Sequence, residues 1–95
     1  MLKASMACSS WPVTRGWDCV NGGIWTQLDG SMNISQTSEC ESLCYKRNTN
    51  GCCALDPSTG CNWKDFATAI NVGGNFGIAI SCNFSGSSLK TTDLD

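Results

Sequence analysis

Eight cysteines in a chain of 95 residues constrain its fold more than any other feature, and five of them fall between Cys40 and Cys61. An even count at this density argues for a disulfide framework formed in an oxidising compartment. A metal site is the competing reading. The adjacency of Cys52 and Cys53 counts against it, because neighbours on a strand point to opposite faces and can hardly both ligate one ion. There is also no histidine and no pair of C-x-x-C knuckles. No metal and no cofactor is therefore expected. The missing histidine also removes the usual base for a catalytic thiol.

Around these cysteines the local pattern is regular. Ser38 followed three residues later by Glu41 has the form of a capping box, and Cys40, Leu43, Cys44 and Arg47 then recur at helical spacing. This predicts a short helix starting near Ser38, with Cys40 and Cys44 on one face. Asn48 to Gly51 end it, since Asn-Gly supplies residues with positive φ. Cys52 to Asp56 and Cys61 to Phe66 flank Pro57, Ser58, Thr59 and Gly60, the composition of a hairpin loop. Eight cysteines allow 105 pairings, but two cysteines one helical turn apart must reach two points on the hairpin beneath. The pairing expected is Cys40 with Cys61, and Cys44 with Cys52 or Cys53. The other member of that doublet is then met by Cys8, Cys19 or Cys82.

A helix carrying C-x-x-x-C, a strand beginning at a cysteine, a turn and then G-C-x-W-K, closed by a later cysteine, resembles the PAN/apple family. The matching residues are Ser38, Glu39, Cys40, Leu43, Cys44, Cys52, Cys61, Trp63 and Lys64, and the resemblance spans about Trp17 to Cys82. It implies a central helix disulfide-linked to a β-hairpin, and binding of proteins or carbohydrates. The doubled Cys52-Cys53 departs from the single cysteine of that pattern, and the segment from hairpin to Cys82 is short. The G-C-C … G-C-x-W arrangement also resembles short cysteine-rich extracytoplasmic proteins of algae and other protists.

The rest of the chain supplies strands. Trp17 to Val20 alternates before the Asn21-Gly22-Gly23 turn, which predicts a hairpin with Ile24 to Leu28. Gly30 to Gln36 reads as a polar loop. Ala67 to Val72 reads as a strand, with one helical turn over Asp65 to Ile70 as the alternative. Phe76, Ile78, Ile80, Cys82 and Phe84 lie at strict period two with small residues between, the pattern of a strand covered on both faces. The expected fold class is α+β, small and disulfide-rich, with one short helix stapled onto an antiparallel β-sheet. Residues 1–84 form a single domain in this reading, and 85–95, almost free of apolar residues, a flexible polar tail.

Composition narrows the function classes. A formal charge of −2, with six Lys and Arg scattered singly, makes no basic patch, so nucleic acid is not an expected partner. No stretch approaches the roughly 20 apolar residues of a transmembrane helix, and Met1 to Met6 is too short for a signal peptide. Asp18, Asp56 and Asp65 show no spacing for hydrolysis or calcium, and Asp56 before Pro57 is turn chemistry. Asn33-Ile34-Ser35 and Asn83-Phe84-Ser85 fit the N-glycosylation acceptor pattern. Four tryptophans raise a sugar-stacking platform against the plainer reading of core, and core is expected for Trp17, Trp25 and Trp63. Trp11, Pro12 and Val13 form an apolar cluster without periodic context and are the expected partner-binding residues. The expectation is a non-enzymatic, extracytoplasmic interaction module for a protein or glycan partner. A structural subunit of a large extracytoplasmic or organelle-lumen assembly and a diffusible secreted effector, such as a pheromone or toxin, are the alternatives.

Overall fold

A computed structural model describes residues 6–84 of the chain; the tail expected from residue 85 lies outside them. Seven strands and one helix follow in the order β1 (Met6–Cys8), β2 (Trp17–Val20), β3 (Trp25–Asp29), α1 (Thr37–Tyr45), β4 (Gly51–Asp56), β5 (Gly60–Asp65), β6 (Thr68–Asn71) and β7 (Ile78–Phe84). Five strands make an antiparallel sheet in the order β1-β7-β4-β5-β3, while β2 and β6 pair as a separate two-stranded ribbon. The sheet is more prominent than the helix. The period-two run is β7, which sits between β1 and β4 with Ile78, Ala79, Ile80 and Cys82 all buried.

Helix and ribbon cover opposite faces of the sheet. On the helix side, Cys40 and Cys44 join Cys53, Leu55, Cys61, Trp63, Ile78, Ile80 and Cys82 in one buried cluster, with Leu43 packed against it. Strand alternation sends the intervening residues the other way. There Cys52, Ala54 and Ala79 meet Cys19 and Ala67 beneath the ribbon. All eight cysteines are paired, as Cys8–Cys82, Cys19–Cys52, Cys40–Cys61 and Cys44–Cys53. The two from the helix hold it to β5 and β4, and Cys19–Cys52 pins the ribbon to the opposite face.

Two local expectations need correction. The capping box does not form, because the helix starts at Thr37 and Ser38 already lies inside it. Gln36 stands at the cap position without a side-chain bond to the helix; its side-chain carbonyl accepts the Asn33 backbone N–H instead (2.9 Å). The second correction is topological. β2 and β3 exist but do not pair with each other: β2 pairs with β6, and β3 with β5. Asn21 and Gly22 do turn the chain at φ 62° and 74°. A Cβ on Gly22 would strike the Asp65 carbonyl, and Gly23 donates its N–H to that same oxygen (2.7 Å). The turn therefore delivers the chain to the edge of β5.

Candidate functional site

An open cleft of about 350 Å³ lies on the ribbon side of the sheet. Its rings are Trp17, Trp25 and Phe76, and its polar groups are Asp18, Asp56, Thr59 and Asn62. The ribbon rests on β7 and β4, so on the flank formed by β5 and β3 Trp25 and Lys64 stay accessible, while Asn62 is buried beside them. Trp25, on the edge strand, is 42% exposed, and Phe76 is 52% exposed. Trp17 is half-buried, because it also packs on the cluster around Cys19 and Cys52.

Phe76 reaches the cleft because the residue after it is glycine. A Cβ on Gly77 would run into the Leu55 carbonyl oxygen and crowd the Asp56 Cα, so only glycine lets this segment close on the end of β4. The approach is then fixed by hydrogen bonds. The Gly77 carbonyl accepts from the backbone N–H of Gly16 and of Trp17 (both 3.0 Å), and Arg15 donates from Nε to the Phe76 carbonyl (3.2 Å) and from Nη2 to that of Asn75 (2.5 Å). Opposite, Gln27 donates to the Thr59 carbonyl (2.9 Å), tying β3 to the hairpin loop.

The polar groups are ordered before any ligand arrives. Asp56 Oδ1 accepts the Ser58 N–H (2.8 Å) and hydroxyl (2.5 Å), which hold its pKa below the ordinary carboxylate value, with Arg15 adding a smaller pull. Asp18 Oδ1 accepts the Cys19 N–H (2.8 Å). Asn62 donates through Nδ2 to the Thr59 hydroxyl (2.9 Å) and the Gly60 carbonyl (3.1 Å). The Lys64 ammonium stands 5.4 Å from the centroid of the Trp25 ring, a cation–π distance. Such a set can bind and orient a ligand through ring faces and fixed oxygen acceptors.

The residues that sequence reasoning singled out lie elsewhere. Trp11 packs against the main core with its indole N–H enclosed and without a hydrogen-bond partner. Pro12 is half-buried and Val13 fully exposed. Asn33 is exposed, and its side-chain oxygen accepts from the Ser35 N–H (3.0 Å) and from the Ser35 hydroxyl. Asn83 is exposed on β7, opposite Ala7. Trp63 is fully buried as expected, donating to Asp65 Oδ1 (2.6 Å), whereas the core expectation fails for Trp25 because it sits on an edge strand outside the ribbon's cover. Asp18 and Asp56, set aside for lack of spacing, are brought to one cleft by strands far apart in sequence. The sulfurs of Cys40, Cys44 and Cys61 lie within 4.8 Å of one another, but each is engaged in a disulfide. Among the described residues, no helix is long and apolar enough to cross a membrane.

No protein family, no characterised protein and no solved structure matches this chain.

Proposed function

We propose that this chain is a non-enzymatic, extracytoplasmic interaction module that engages a protein or glycan partner through the aromatic cleft. The observation that carries the reading is three partly exposed rings, Trp17, Trp25 and Phe76, converging on one concave surface beside fixed polar groups. Concave, mostly apolar sites with a few oriented polar groups are where ligands bind, and aromatic residues dominate binding hot spots. Four disulfides support the extracytoplasmic placement, since such bonds persist in oxidising compartments. The PAN/apple resemblance belongs to the same reading, supported by the helix linked to β5 and β4.

The test compares the wild type with Trp25→Ala, Phe76→Ala and Val13→Ser in binding to glycan arrays and to extracellular protein fractions. The two cleft variants should lose at least tenfold in affinity, and Val13→Ser should not. The reverse pattern would move the contact to the segment of Trp11, Pro12 and Val13.

One observation favours the alternative of a subunit in a larger assembly. Phe66 is held at φ 56° and the residue is 71% exposed, an unfavourable backbone state for a bulky residue at a position that buries little. The exposed side chain is an apolar surface that a protein neighbour would cover.

A further inference from the structure

We infer that the cleft takes a neutral pyranose sugar, one or two rings of a glycan; this deepens the module reading and rests on it. The first ground is charge. Asp18 and Asp56 line the cleft, while Arg15 acts on Asp56 and Lys64 stands over Trp25. Two carboxylates and two cations leave the site with no excess of either sign. Its field therefore concentrates neither anions nor cations, and Trp25 already has a cation of its own.

The second ground is backbone. β4 is paired on both sides, with β7 and β5, and β5 on both sides, with β4 and β3. The Gly77 carbonyl is taken by Gly16 and Trp17. β4 and β5 thus offer no strand edge within the floor to which an extended peptide could add, and the open edge on this side is the outer one of β3, at the rim beyond Trp25.

What the cleft does offer matches a sugar. Asn62 spends its amide hydrogens on Thr59 and Gly60, which leaves its carbonyl for a ligand. Asp18 and Asp56 line the cleft and each accept internal bonds at Oδ1, which leaves acceptor capacity on both carboxylates. The groups facing a ligand are therefore mainly acceptors, with the Thr59 hydroxyl able to donate. A pyranose carries O–H donors around its rim and apolar C–H faces whose partial positive charge suits the negative face of an aromatic ring. The volume of about 350 Å³ lies at the low end of the roughly 300–1,000 Å³ of ligand sites, room for one or two rings.

The experiment follows the indole N–H signals of the four tryptophans in the ¹⁵N-labelled full chain. The probes are the methyl glycosides of glucose, galactose, mannose and N-acetylglucosamine with their disaccharides, and, as charged comparisons, tetramethylammonium and sulfate. At least one sugar should shift the Trp25 and Trp17 signals saturably and leave Trp63 unmoved. Trp25→Ala should keep the dispersed amide spectrum and weaken that binding at least tenfold. A response confined to tetramethylammonium or sulfate, no saturable shift with any sugar, or a sugar shift at Trp11 in place of Trp25 would each overturn the inference. If all sugars failed while Trp25→Ala still abolished binding to a protein, the sugar would fall and the module reading would stand.

Discussion

Phe66 shows what one residue can hold against its own preference. Its N–H bonds to the Asn50 carbonyl (3.0 Å), and this fixes the turn after β5 at positive φ. The left-handed region costs a non-glycine residue roughly 1–2 kcal/mol. With the ring exposed there is little packing to lose, so Phe66→Gly should raise stability by about 1 kcal/mol in denaturant titration. A net loss would mean that the ring packs more than its exposure indicates. Asp56 gives a pH signature at the same scale. Ser58, and to a smaller extent Arg15, lower its folded pKa from 3.8. Its contribution is then fully present above the unfolded value and lost as pH falls through the lower folded one. Between pH of about 5 and about 2 the thermal midpoint should fall more for the wild type than for Ser58→Ala; equal slopes would remove Ser58 as the cause.

Elements differ in how far local sequence specifies them. The helix and the β4–β5 hairpin were legible because their signals are local: helical spacing of Cys40, Leu43 and Cys44, and a Pro57-to-Gly60 loop between two apolar runs. The expected pairing of Cys40 with Cys61, and of Cys44 with Cys52 or Cys53, follows from that geometry, and the structure selects Cys53. The pairing of β2 with β6 was not legible, because it joins Trp17–Val20 to Thr68–Asn71 across half the chain. What decides it is the contact of Gly22 and Gly23 with Asp65, a tertiary approach that no turn signal encodes. Cys19–Cys52 then locks the ribbon in place, closing a sequence separation of 33 residues. Replacing both cysteines by Ala should cost about 2–4 kcal/mol. In the folded fraction the Trp17 indole signal should move while that of Trp63 stays. An unmoved Trp17 would show that strand pairing alone holds the ribbon.

At the scale of the whole molecule, the site exists because a two-stranded ribbon covers only part of one sheet face. The tryptophan content raised a platform against the plainer reading of core, which was the expectation for Trp17, Trp25 and Trp63, and which rings are exposed depended on the strand order. Trp63 faces the helix and is buried; Trp25, on the same sheet, lies at the edge β3 and is open. Phe76 looked like the first member of the β7 period, and Gly77 instead turns it to the cleft. The most direct measurement is oxidative footprinting of the aromatic side chains, in the free chain and in the chain saturated with its ligand. Free, Trp25 and Phe76 should be modified fastest among the cleft residues, and Trp63 should be protected. On binding, the rates at Trp25, Phe76 and Trp17 should drop while that at Phe66 is unchanged. Protection at Trp11 and Val13 with undiminished modification of Trp25 and Phe76 would contradict the cleft as the site of recognition.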